Sequence, residues 1–466
     1  MNVLIIQPKH PSSVKLYGKC YMSQLTLPVI ASQIPEGHDV KIIDENVEPI
    51  DFSSEVDLAC ITTMTPSANR AYEIASEFRN RGVKVLMGGV HVSAVPEEAA
   101  KYSDSVVIGE SEGLFPTIFE DLKNDELKKY YRLTAKPALK DFPMPKHNLM
   151  KNKMYVNIPK VETSRGCPFT CEFCSTTEFF GNKMRYRPVE DVVQEVVELN
   201  EDFIFFTDNN IIGSPKYAKE LFRQLAIAKP KMNLRWISQC SINFANDEEL
   251  LRLAAESGCV GMLIGFESLS EDAISSMGKK VNQVKEYESS IKKIHKAGIG
   301  IIGCFVLGFD DDDDAVYKKT VKFIRKNNIE MPQLTVLTPF PGTALRTRLE
   351  KENRVLHSNW QYYDATHVVF QPKWMTVKEL RTLYDWTAKK IYSRLAIYWR
   401  VFKSFVRYRS LYKTFVFLQV NTVYKRLWMI GVGDDDQNIK DTAPIVKHPV
   451  TVKSKPVKDN LKTNAR

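Results

Sequence analysis

Residues 164–174 read Ser164-Arg165-Gly166-Cys167-Pro168-Phe169-Thr170-Cys171-Glu172-Phe173-Cys174. The three thiols, spaced C-x3-C-x2-C, directly follow a short apolar strand pattern at 161–164. Carried on a loop, they can face one point. Thiolates select zinc or iron–sulfur clusters. A structural zinc site takes four ligands, and no fourth Cys or His stands nearby, the next Cys being Cys240. Three thiolates on a four-iron cluster leave one iron open, as a substrate-binding cluster requires. A partial zinc site or chance crowding is the alternative.

Outward from this loop, residues 161–345 alternate strand and helix. Strand patterns fall at 161–164, 203–208, 234–239, 261–265, 299–307 and 333–337. Helical patterns fall at 189–199, 215–225, 247–257, 284–297 and 315–326. Val192, Val193, Val196 and Leu199 share one face, as a helix covering a sheet requires. Six such units predict a partial (β/α)6 barrel, with its chemistry at the carboxyl ends of the strands. Upstream, strands at 2–7, 39–43, 57–62, 83–87 and 105–108 predict a doubly wound parallel sheet over residues 1–130. Ligands of such α/β sheets sit at strand carboxyl ends, here 62–67, 88–91 and 109–112. Pro137, Pro143, Pro145 and Pro159 mark 131–160 as a linker.

The 466 residues are 44% hydrophobic, and none of the apolar stretches reaches 18 uncharged residues, so no transmembrane helix is expected. The opening MNVLIIQPKHP lacks a basic n-region and reads as a strand rather than a signal peptide. Eight cysteines, three of them crowded, fit a reducing, cytoplasmic compartment with a metal site rather than a disulfide framework. The net charge of +9 is unevenly placed. From Met375 onward there are 19 basic and 7 acidic residues, which leaves the preceding chain at −3.

That C-terminal excess has structure in it. After an irregular passage at 346–374, Thr376-x-x-Glu379 is a capping box opening a helical region to 433. The Lys-rich segment 434–466 reads as a disordered tail. Between Tyr392 and Trp428 lie 11 aromatics and eight Lys or Arg, with no Asp or Glu. A basic helix with an aromatic face suits a membrane interface, so peripheral association at the inner face of the membrane is expected. Packing of the aromatics against the barrel is the competing outcome. Nucleic acid is not an expected partner.

The cysteine segment resembles the signature of the radical S-adenosylmethionine (SAM) enzymes, C-x3-C-x-aromatic-C. The resemblance implies a [4Fe–4S] cluster on Cys167, Cys171 and Cys174, whose open iron chelates SAM. One electron then cleaves SAM to a carbon radical. Phe173 would lie near the adenine. Asp208 and Asn209, ending the second barrel strand, match the family's contacts to the methionine moiety. Gly265 and Glu267, within residues 261–267, resemble the family's G-x-I-x-G-x-x-E strand. Gln239 and Ser241 are candidates for ribose or carboxylate contacts.

The N-terminal sheet in turn resembles the flavodoxin-like cobalamin (B12)-binding domain fused to many radical SAM proteins. The matching pieces are residues 43–46, Thr63-Met64-Thr65-Pro66, Gly88-Gly89-Val90-His91 and Gly109-Glu110-x-Glu112. This makes Thr63, Met64, Thr65, Ser67, Gly88, Gly89, Val90, His91, Gly109, Glu110 and Glu112 cobalamin-binding candidates. The D-x-H-x-x-G pattern, whose His coordinates cobalt in methionine-synthase-type domains, is absent. The layout is most similar to hopanoid C-2 methylase-like members. The resemblance implies C-methylation of an unactivated carbon of an apolar, lipid-like substrate, with a reductase or a ferredoxin- or flavodoxin-type electron donor. Two alternatives stand beside it: joining, cyclising or rearranging carbon chains without methyl transfer, and a non-catalytic metal-binding module at the membrane surface.

Overall fold

The computed structural model describes residues 1–10, 22–150 and 158–433; the tail read at 434–466 lies outside the described residues. The first sheet contains β1 (Asn2–Gln7), β2 (Asp39–Asp44), β3 (Leu58–Thr62), β4 (Lys84–Gly88), β5 (Ser105–Ile108) and β6 (Tyr130–Arg132). All neighbours run parallel, in the order β2-β1-β3-β4-β5-β6. β3 is buried throughout, as a strand covered by helices on both faces must be. Strand order reverses at β1, which opens a crevice beyond the carboxyl ends of β1 and β3. The sixth strand straddles the boundary read at 130, with Tyr131 and Arg132 in the stretch read as linker. Its outer residues are exposed around a buried Tyr131, a three-residue edge strand too short to carry a period.

The second sheet is also parallel, in the order β14-β13-β12-β11-β10-β7. Its strands are β7 (Lys160–Val161), β10 (Phe203–Phe206), β11 (Arg235–Cys240), β12 (Cys259–Glu267), β13 (Gly300–Leu307) and β14 (Met331–Val336). Its edges, β14 and β7, do not pair with each other, so this is a partial barrel, with helices in between. The strand expected at 161–164 is divided. Lys160–Val161 stays in the sheet, while β8 (Ser164–Arg165) leaves it to pair antiparallel with β9 (Arg185–Tyr186). This divergence starts the cysteine loop.

The region after 345 ties the parts together. Trp360, Tyr363 and Val369 join the core of the first sheet. The Thr376 and Glu379 capping box forms both of its hydrogen bonds, and three helices follow, Val377–Tyr392, Arg394–Tyr408 and Leu411–Gly433. Among the described residues, no helix is long and apolar enough to cross a membrane. The aromatics divide between two environments, and only the packing on the barrel is seen directly. Tyr392 and Phe417 are buried, and Tyr408, Tyr424 and Trp428 pack on the barrel core. Tyr398, Trp399, Phe402 and Phe415 face solvent. The last two helices close the amino ends of the barrel strands. Tyr408 Oη donates to the carbonyl of Ile299, Lys413 Nζ to that of Gly298 and Asn421 Nδ2 to that of Glu330.

Candidate active site between the two sheets

The carboxyl ends of the two sheets face each other across a cavity of about 480 Å3. From the first sheet it is lined by Thr63, Met64, Gly88, Gly89, Val90, Gly109, Glu110 and Glu112. From the barrel come Asn209 and Gln239, with Lys160, Glu162, Arg165, Phe205 and Thr207. Apolar walls are added by Leu25, Val29 and Ile30 on one side and Phe179 and Phe180 on the other.

Two details shape the wall at the end of the first sheet. Gly89 sits at φ +102°, where a Cβ would meet the Thr63 amide nitrogen at 2.6 Å; only glycine allows this approach of backbone to backbone. The Thr63 hydroxyl is buried with no hydrogen-bond partner among the described residues, and such a group calls for a ligand or water. A cobalamin edge would satisfy the Thr63 hydroxyl.

The cysteine loop begins with a forced turn. At Gly166 (φ +97°) a Cβ would stand 2.6 Å from the Lys183 carbonyl oxygen. The loop is then pinned from below: Glu172 N–H donates to the Met277 carbonyl, and the Glu172 carboxylate pairs with Arg348 at 2.9 Å. Cys167, Cys171 and Cys174 are half-buried and free of disulfides. Burial pushes the Cys171 thiol up to about 12 and raises Cys167 as well. Such thiols hold their protons until a metal takes their place. Among the described residues no three His, Cys, Asp or Glu side chains converge on a single ion. A four-iron cluster does not need that convergence, because each thiolate takes its own iron. Three free thiols on one loop therefore fit a four-iron cluster.

Several candidates occupy other places. His91 is fully buried, 3.1 Å from Tyr72 Oη through Nε2 and edge-on to Trp360; it does not line the cavity. Thr65 and Ser67 form a buried turn beside it. Asp208 accepts from the Thr163 amide (3.2 Å) and from the hydroxyls of Thr163 and Ser164, so it anchors the chain entering the cysteine loop. Ser241 accepts from Asn210 Nδ2 at 3.1 Å. Phe173 packs edge-on against Phe309. Glu267, at φ +62°, pairs with Lys279 directly under Gly265. Asn209 reaches the helix after the cysteines through Thr176.

Arg165 was not legible as a site residue from the sequence. Its guanidinium meets Glu110 and Glu112 of the first sheet at 2.7 Å each and Glu162 at 2.8 Å. Burial opposes its charge, but the three carboxylates, Glu162 foremost, outweigh that and hold it firmly protonated. Glu110 also binds Arg185 at 2.7 Å. Two of the candidate cobalamin ligands are thus joined to the barrel by ion pairs. Lys160 is the other unforeseen residue. It lines the cavity, and burial pushes its ammonium down to about 8, with Asp44 opposing.

Comparison with known proteins agrees with this division. Residues 161–324 match the radical SAM superfamily, 19–119 the B12 binding domain and 343–438 a domain of unknown function (DUF4070). The bacteriochlorophyllide d C-12(1)-methyltransferase of Chlorobaculum tepidum is 33% identical over 407 residues, covering 84% of this chain and 88% of that one. The hopanoid C-2 methylase of Rhodopseudomonas palustris is 24% identical, covering 77% of this chain and 72% of that protein. Among solved structures, the radical SAM methyltransferase TsrM of Kitasatospora setae, with cobalamin and a [4Fe-4S] cluster bound, superposes with a TM-score of 0.60 at 17% identity. The match covers 75% of this chain and 78% of that chain.

Proposed function

We propose that this chain, which belongs to the family of cobalamin-dependent radical SAM methyltransferases, transfers a methyl group to an unactivated carbon of an apolar, lipid-like molecule. The single observation that carries the proposal is the shared cavity, where glycine turns of the first sheet face the barrel strand ends beside the cysteine loop. When bound, the cluster and SAM supply the carbon radical and the corrinoid supplies the methyl group.

The chain's own residues do the rest. Cys167, Cys171 and Cys174 hold the cluster, and Gly166 lets their loop turn out of the barrel. Asn209 and Gln239 orient SAM from the strand ends. Thr63, Gly88, Gly89, Val90 and Gly109 cradle the corrinoid, while Arg165 locks the two sheets at a fixed separation through Glu110 and Glu112. Phe179 and Phe180, with the apolar helix face of Leu25 and Val29, keep water from the reacting carbon. Names of relatives support the substrate class: they act on a bacteriochlorophyllide and a hopanoid. The enzyme draws electrons from a reductase or a ferredoxin- or flavodoxin-type donor. It works peripherally at the inner face of the membrane, supported by the solvent-facing aromatics and the basic residues of its C-terminal helices.

The test is anaerobic reconstitution of the full chain with iron, sulfide and cobalamin. It should retain both cluster and corrinoid through gel filtration, and Cys171→Ala should lose the iron but not the corrinoid. Incubated with methyl-deuterated SAM and an apolar cell extract, the loaded enzyme should place deuterium in an apolar product. A product lacking the label would overturn methyl transfer.

A further inference from the structure

The helix Arg394–Tyr408 carries two opposed faces. Ile397, Val401 and Ser404 are buried against the barrel. On the other side Leu395 (84% exposed), Tyr398, Trp399, Phe402 and Val406 recur at spacings of three and four. They form an unbroken apolar stripe in solvent, of a kind that marks an interaction surface. Beside it lies a groove of about 820 Å3, bounded by this helix and by the helices Asp314–Asn327 and Val377–Tyr392. Lys318, Lys322, Arg325, Lys390 and Lys403 line it, with Trp386 and Trp399.

The groove also holds an unusual cation. Arg400, 5% exposed, lines it. Its Nη2 donates to the Ile391 carbonyl at 3.1 Å and to Asn421 Oδ1 at 2.7 Å, both neutral acceptors. Its Nε is buried with no partner among the described residues. Burial pushes the guanidinium down to about 10, with Tyr392 and Glu330 offsetting only part of that. A buried charge with a spare donor is costly until an anion satisfies it.

We propose that this groove binds the phosphate group of an anionic phospholipid, which rests on the peripheral membrane association proposed above. Headgroup phosphate meets the lysines and Arg400, while the adjacent stripe enters the acyl boundary. A free phosphate ester shares the first chemistry but leaves the stripe without a role, so the lipid is the occupant. Arg407 pairs with Glu330 at 2.6 Å and Tyr408 binds the Ile299 carbonyl. These contacts set the helix at the amino ends of the barrel strands, away from the cavity. The lipid tethers the enzyme and does not feed its substrate port.

The test uses the full chain and vesicles of phosphatidylcholine with or without phosphatidylglycerol. Wild type should prefer the phosphatidylglycerol vesicles. Lys318→Ala/Lys322→Ala, both exposed positions, should bind these about 30-fold more weakly, roughly fivefold per lysine. Trp399→Glu/Phe402→Glu should lose both vesicle types. If wild type binds neither vesicle, the membrane reading itself is overturned. If it binds and the lysine pair makes no difference, only the groove is overturned. Titration with inorganic phosphate, read by tryptophan fluorescence, should saturate no site without vesicles; saturation without preference for phosphatidylglycerol would overturn the lipid as occupant.

Discussion

Arg165 Nη1 donates to Glu110 Oε2 at 2.7 Å, joining the residue two before Cys167 to the carboxyl end of β5. The Glu110 side chain is 1% exposed and also holds Arg185. Removing one member of a buried pair leaves the other charge uncompensated, at about 3–5 kcal/mol. Arg165 keeps Glu112 and Glu162, so Glu110→Ala should lower stability by about 3 kcal/mol, the low end of that range, in urea unfolding. An unchanged midpoint would show that Glu112 and Glu162 suffice to meet the Arg165 charge.

Gly89 and Gly37 make a matched pair. Both have positive φ, but a Cβ at Gly37 meets nothing within 4 Å, while at Gly89 it would collide with Thr63 backbone. Gly37→Ala should cost about 1 kcal/mol, the conformational term alone. Gly89→Ala must in addition move β3 and β4 apart, so its melting temperature should fall clearly further and cobalamin should no longer be retained. Equal melting temperatures would contradict the close approach.

Asp312 carries a pH dependence. It is buried at the end of β13, accepting the amides of Gly308 and Phe309 at 3.1 Å and the Ser268 hydroxyl at 3.2 Å. Burial pushes its carboxyl from 3.8 to about 7, more than these bonds lower it. Between those values the folded chain binds more protons than the unfolded one, so stability falls as pH rises from about 4 to about 7. At about 1.4 kcal/mol per unit the contribution is of the order of 4 kcal/mol. Asp312→Asn should flatten this slope and stabilise the protein at pH 8, measured by urea unfolding across the range. A slope that persists in the variant would assign it to other groups.

Much of the site was legible because cysteine spacing and strand-end glycines are local signals. The loop at 167–174, the turns at 88–89 and 109, and Asn209 and Gln239 all lie at or just beyond the carboxyl end of a strand. His91 and Asp208 illustrate the limit. Each is polar and next to a strand end, yet partners far along the chain, Trp360 for one and Thr163 for the other, decide where its side chain goes. Arg165 and Glu110 are 55 residues apart, and nothing in either neighbourhood announces the other. The edge strand Tyr130–Arg132 escaped because one buried residue leaves no alternation to read.

Phe417 Cζ packs 2.9 Å from where a Cβ on Gly300 would stand, and Asn421 binds the Glu330 carbonyl. The barrel's floor is therefore built from residues about a hundred positions downstream of its fifth strand. During synthesis, the six strands leave the ribosome with their amino ends bare until this helix follows. The nascent barrel must wait, its apolar base open to chaperones or to misassembly, and any iron delivered early meets a half-closed host.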